Sequence, residues 1–126
     1  MKEIMCIIRL NKVNQTKDAL AEAGFPSITC RKVLGRGKKS LDQISKGFTH
    51  AQGQVYSGFS EAFTEGTRLI AKRFFTLIVN DEEVDKIIET IINVNKTDTP
   101  GDGKIFVLPI EEAYRIRDGK NGQEVI

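Results

Sequence analysis

Phe74-Phe75-Thr76-Leu77-Ile78-Val79-Asn80-Asp81-Glu82-Glu83-Val84 holds a strand, a stop and a helix start in one stretch. The run from Phe74 to Val79 is aromatic and β-branched, which favours a pleated, packed strand. Asn80 is a good helix N-cap, and Glu83 three residues later makes a capping-box start. Val84, Ile87, Ile88 and Ile91 then repeat at helical spacing and mark one apolar face through about Val94. A strand over Arg68 to Val79 passing directly into an amphipathic helix predicts a mixed sheet-and-helix domain.

The same order appears earlier in the chain. Ile4 to Leu10 is an apolar run that reads as a strand buried on both faces. Lys12 to Ala23 reads as a helix with Val13, Ala19, Leu20 and Ala23 on one face, Asn14 as its cap and Gly24 as its C′ terminator. After the Phe25-Pro26 turn, Ser27 to Leu34 reads as a second strand. Past the helix at 84–94, Ile105 to Leu108 is a fourth strand, Pro109 to Glu112 a turn, and Ala113 to Arg117 a short edge strand. The predicted class is α+β: a ferredoxin-like βαββαβ sandwich with an antiparallel sheet and two helices on one face. Ile7, Phe75 and Phe106 lie in runs with few polar alternates, so the other face also needs cover. That implies an oligomer packed through the open sheet face.

Between these halves the pattern breaks. From Lys38 to Thr67 no period holds, and the segment carries Gly47, Gly53, Gly58 and Gly66. Connections this long inside a compact domain are usually functional or disordered. The segment 38–67 is therefore expected to be a mobile loop inserted in a single domain over 1–126. Its Phe48, Val55, Tyr56, Phe59 and Phe63 can dock on a partner; a solvated insertion without a role is the plainer alternative.

Composition narrows the class. The chain has 126 residues, 40% hydrophobic and 29% charged, with a net charge of +2. One soluble domain is expected, and the near balance of charge does not point to nucleic acid. No apolar run is long enough to cross a bilayer, and the start Met1-Lys2-Glu3-Ile4 has no signal-peptide pattern, so the default location is cytoplasmic. Cys6 and Cys30 both fall in predicted strands and are expected to pack in the core as thiols. His50 stands alone, which gives no metal-ligand pattern.

Chemistry concentrates near the C-terminal end. Gly101-Asp102-Gly103-Lys104 is a glycine-rich turn entering a strand. Such a turn can aim successive N–H groups at an anion, and Lys104 adds a point charge. Arg115 and Arg117 flank Ile116 and would leave the same face of a strand. Together they suggest a phosphate-bearing ligand. From spacing alone, a tight turn with two solvated arginines is the slightly stronger reading.

The stretch Gly101–Val107 followed by Arg115-Ile116-Arg117-Asp118-Gly119 resembles the C-terminal signature of the PII signal-transduction proteins. Ile28-Thr29-Cys30-Arg31-Lys32-Val33-Leu34-Gly35-Arg36-Gly37-Lys38 resembles their other conserved region. The long loop, the Ala-Gly-Phe-Pro turn and Gly-Arg-Gly-Lys are most similar to the nitrogenase-associated NifI type. The resemblance implies a non-enzymatic trimer, either a homotrimer or a mixture with a sister subunit. It implies ATP or ADP in clefts between subunits. Gly101, Asp102, Gly103, Lys104, Arg115 and Arg117, with Gly35, Arg36, Gly37 and Lys38, would hold phosphates, and Thr29 and Ile78 would line the adenine. It also implies sensing of 2-oxoglutarate beside Mg²⁺ and ATP, with Lys39 and Lys72 at the positions that handle the acid. Lys39 stands where the family has a glutamine, and a protonated lysine cannot coordinate a metal. Either Lys39 pairs with the carboxylate directly or the acid site is lost. Thr97-Asp98-Thr99-Pro100 replaces a Thr-Gly-Lys-Ile stretch, so one basic residue is missing. The implied role is nitrogen regulation, including transcription regulation and nitrogen fixation. The target would be contacted by the long loop, with dinitrogenase or an ammonium transporter as candidates and neither nucleic acid nor membrane entered directly. Tyr56 is the sole loop tyrosine, but its surroundings do not match the family's uridylylation site. The alternative function is a small nucleotide-hydrolysing or phosphate-transferring enzyme, for which the sequence supplies neither a P-loop nor a strong general base.

Overall fold

The computed structural model describes residues 1–37 and 68–126. Four strands form one sheet: β1 (Lys2–Arg9), β2 (Thr29–Gly35), β3 (Ile70–Val79) and β4 (Lys104–Pro109). Two helices, α1 (Val13–Glu22) and α2 (Val84–Asn95), connect them. The sheet order is β2-β3-β1-β4, and β1 runs antiparallel to both β3 and β4. β1 and β2 thus straddle β3, which is the split arrangement expected from the element order. The chain divides into two compact units, Met1–Val33 with Ala71–Ile126, and Leu34–Ile70. The expected loop 38–67, with Lys38, Lys39 and Tyr56, lies outside the described residues.

Strand alternation builds the core. Ile4, Cys6 and Ile8 of β1 and Phe75, Leu77 and Val79 of β3 point to one face and are buried. Leu20 of α1 and Ile87 and Ile91 of α2 close over them. Each such side chain contributes roughly 1.5–3 kcal/mol by leaving water. Thr16, also buried, accepts from Asn95 Nδ2 at 3.0 Å and donates to the Lys12 carbonyl at 2.8 Å, which ties the two helices together.

Helix ends follow the sequence with one exception. The Asn80 N–H donates to Glu83 Oε2 at 3.0 Å in a capping box, leading through a 3-10 turn into α2. Gly24 takes φ +98°, its N–H bonds the Ala21 carbonyl, and the Phe25 N–H bonds the Leu20 carbonyl. That pair of bonds is a Schellman motif. Asn14, expected as the cap of α1, lies inside the helix. A 3-10 turn over Leu10–Lys12 starts the helical backbone earlier, and Lys12 takes the cap position without a side-chain bond.

The other sheet face carries no helix among the described residues. On it Glu3 lies between Ile78 and Leu108, Met5 between Thr76 and Phe106, and Ile7 between Phe74 and Lys104. Phe106 is 46% exposed, Ile78 37% and Leu108 36%. β1 is therefore fully buried on one face and half-buried on the other, not buried on both as its apolar run suggested. Cys30 is exposed, against the expectation of core packing, because it lies on β2 at the sheet edge. Cys6 is buried, and burial pushes its thiol pKa up to about 11.

Candidate functional site

The glycine turn sits where α2 ends and β4 begins. Gly101 and Gly103 take φ of +99° and +124°, which only glycine adopts easily. Gly103 is further constrained, since a Cβ there would collide with the Ile7 carbonyl oxygen. The Asp102 side chain turns back toward the loop. Its carboxylate accepts from the Thr97 N–H at 2.7 Å and from the Thr97 hydroxyl, and pairs with Arg9 Nη2 at 3.1 Å. The Thr97 hydroxyl first, then the Thr97 N–H and Arg9, hold this carboxyl below the usual carboxylate range.

Arg9 and Lys72 face each other on β1 and β3 and both reach the turn. Arg9 donates to Thr97 Oγ1 at 3.1 Å, Thr99 Oγ1 at 2.8 Å and the Pro100 carbonyl at 3.1 Å. Lys72 Nζ donates to the Gly101 carbonyl at 3.0 Å. In a trans peptide the C=O and N–H point in opposite directions. With the Pro100 and Gly101 carbonyls pinned toward the two cations, the N–H groups of Gly101 and Asp102 point away from them. Lys104 follows, exposed and without an ion pair among the described residues. Beneath the turn, a cavity of about 270 Å³ lies between Ile91, Ile92 and Asn95 of α2 and Gly103 and Ile105. Its lining also includes Lys96, Asp102 and Lys104.

The other expected site residues are elsewhere. Lys104 is opposite Ile7, whereas Ile78 is opposite Glu3, four residues along β1. At a strand rise near 3.3 Å per residue this separates them by about 13 Å. Pro109 pairs with Lys2, so the tail bearing Arg115 and Arg117 leaves β4 at the end away from the turn. Ala113 to Arg117 is not the strand its alternation suggested. Arg115 makes a two-pronged bond to Asp118, at 2.9 and 2.7 Å, and Gly119 at φ +69° returns its N–H to the Arg115 carbonyl. A bridge between Tyr114 and Asn121 completes a tight hairpin. Asp118, one residue beyond the alternating pattern, captures Arg115 and pulls the chain into a turn. Arg117 is exposed with no ion pair among the described residues, and Thr29 is exposed at the start of β2. Gly35, Arg36 and Gly37 belong to the second unit.

The model of the family "Nitrogen regulatory protein P-II" matches residues 1–120. The chain belongs to the P-II family. It is 42% identical over 123 residues to the Methanosarcina barkeri "Nitrogen fixation nifHD1 region GlnB-like protein 2", covering 98% of this chain and 97% of that protein. It is 40% identical over 128 residues to the Methanobacterium ivanovii "Nitrogen fixation nifHD region GlnB-like protein 2", covering 100% and 99%. A "Nitrogen regulatory protein P-II 2" of Methanothermobacter thermautotrophicus is 36% identical over 127 residues, covering 100% and 97%. The protein is thus a nitrogen regulatory P-II signalling protein, similar to the nif-region GlnB-like group.

In this P-II chain the residues that sequence reasoning missed are Arg9, Thr97 and Thr99. Their signal was present as a Thr-x-Thr step just before Gly-x-Gly and an arginine closing an otherwise apolar strand. The Thr97-to-Pro100 stretch, read as a departure that lost a basic residue, is the part that receives Arg9. No helix among the described residues is long and apolar enough to cross a membrane.

Proposed function

We propose that this P-II protein is a trimeric, non-enzymatic sensor that binds ATP or ADP between subunits and controls a target protein through residues 38–67. The observation that carries this reading is the glycine turn, with the Gly101 and Asp102 N–H groups facing away from their pinned carbonyls beside Lys104, which makes no ion pair among the described residues. Successive N–H groups and a lysine suit phosphate oxygens. Ile78 and Arg117 lie away from this turn in one chain, so a second copy must bring an adenine wall and arginines to it. The half-exposed Phe106, Ile78 and Leu108 supply an apolar face for that copy.

Thr29, Gly35, Arg36, Gly37 and Lys38 complete the nucleotide site in this reading. Lys72 pairs with the carboxylate of 2-oxoglutarate, with Lys39 nearby and Mg²⁺ accompanying ATP. The Asp102 carboxylate is committed to Thr97 and Arg9, which favours a regulator over a phosphate-transferring enzyme. The nif-region names of the relatives favour dinitrogenase over an ammonium transporter as the target, with a sister subunit in a mixed trimer as the alternative to a homotrimer. The working compartment is the cytoplasm.

Calorimetric titration of ATP tests this, alone and with Mg²⁺ and 2-oxoglutarate. Lys104→Ala and Arg117→Ala should each weaken ATP binding by about 1.5–3 kcal/mol, the worth of one charge-assisted contact, while the oligomer persists. Unchanged affinity in both variants would sink the phosphate site.

A further inference from the structure

We propose that Arg9 is the positioning residue of the anion-binding turn: it holds the glycine loop in the one shape that presents the Gly101 and Asp102 N–H groups. This rests on the nucleotide reading above. Arg9 is the last residue of β1, yet its guanidinium gathers four groups from the segment 97–102: two threonine hydroxyls, the Pro100 carbonyl and the Asp102 carboxylate. A planar fork with five donors can serve this many acceptors at once, and an ammonium cannot match that geometry.

Charge explains why the arrangement is built. Arg9 and Lys72 are directly opposite on neighbouring strands, a repulsive placement for two like charges. Among the described residues, the acceptors that offset it come from the loop: the Pro100 and Gly101 carbonyls, two hydroxyls and one carboxylate. The atoms nearest a Cβ placed on Gly101 are Arg9 Nη2 at 3.6 Å, Lys72 Nζ at 3.7 Å and Arg9 Nε at 3.8 Å. The two cations and the turn are therefore one unit. Turning either carbonyl away from the cations would swing the linked N–H toward them and away from an anion. Arg9 raises affinity by removing the ordering cost of the loop before the ligand arrives.

The test separates position from charge. Arg9→Ala and Arg9→Lys are titrated with ATP, and amide exchange is followed across residues 97–103. Both variants should bind ATP more weakly, on the order of tenfold. Exchange should quicken in 97–103 and stay unchanged in β1 and β3. Thr99→Val, which removes one Arg9 acceptor without touching β1, should give a smaller loss in the same direction and covers the case in which an Arg9 variant misfolds. Wild-type affinity in Arg9→Lys would show that only the charge matters and would overturn the inference. A wild type that binds ATP, with Arg9→Ala binding equally well, would overturn it while leaving the nucleotide reading intact. A wild type that binds no ATP would overturn both.

Discussion

Gly101 and Gly103 should respond very differently to alanine, although both have positive φ. At Gly101, at φ +99°, a new methyl meets only the flexible ends of Arg9 and Lys72 at 3.6 Å or more. The cost is then backbone strain alone, about 1–2 kcal/mol. At Gly103, at φ +124°, the same strain applies and the methyl also lands on the Ile7 carbonyl oxygen, which is backbone within the sheet. Relief requires Lys104 to move off Ile7 at the start of β4. That sacrifices about one ladder bond and leaves a backbone group short of a partner, about 1–3 kcal/mol more. Gly103→Ala should thus cost about 2–5 kcal/mol. Gly37→Ala, whose new methyl meets nothing within 4 Å among the described residues and which has no left-handed φ, should stay within about 0.5 kcal/mol of wild type. Urea unfolding at one fixed protein concentration reads all three, since an oligomer's midpoint depends on concentration. With a slope near 2 kcal/mol/M, Gly103→Ala should unfold about 0.5–1.5 M earlier than Gly101→Ala. Equal midpoints, or a lower one for Gly101→Ala, would refute the claimed approach of Gly103 to β1.

Thr16→Val should destabilise by about 1–3 kcal/mol in thermal or urea unfolding, because it takes an acceptor from the buried Asn95 amide. Adding Asn95→Leu should recover much of that loss, since removing both partners leaves nothing unpaired. The two cysteines should separate on labelling: native protein should release one equivalent with a thiol reagent, from exposed Cys30, and Cys6 should react only on unfolding. The raised pKa of Cys6 also sets a sign. Burial keeps the folded thiol neutral while the unfolded one ionises near its ordinary value of 9.0, so stability should fall as pH rises from there toward about 11. Cys6→Ser should abolish that slope, read by unfolding midpoints across the range.

How far the sequence could be read follows from the range of the forces involved. The strand at Phe74–Val79, the capping box at Asn80 and Glu83, and the terminator at Gly24 were legible because each depends on residues within a few positions. The need for left-handed glycines at 101 and 103 was legible for the same reason. The direction of Asp102 was not. Its acceptor role is decided by Thr97 together with Arg9, and Arg9 reaches it only after β1 and β4 pair. The tail misled because alternation was read over Arg115 to Arg117 while Asp118, whose carboxylate outweighs a weak strand preference, lay one residue beyond. Cys30 looked like core because its neighbours are apolar, and only the strand order shows that β2 is an edge. The candidate site shows the same limit on a larger scale. Its glycine turn is local, but Ile78 and the tail arginines meet that turn in no single chain, because β1 holds them toward opposite ends. On the proposed nucleotide reading, a site divided this way is complete only when copies pack. Under the proposed trimer, the half-exposed apolar side chains on the open sheet face, and Lys104 and Arg117, which make no ion pair among the described residues, would have one common explanation: each would be half of a subunit interface.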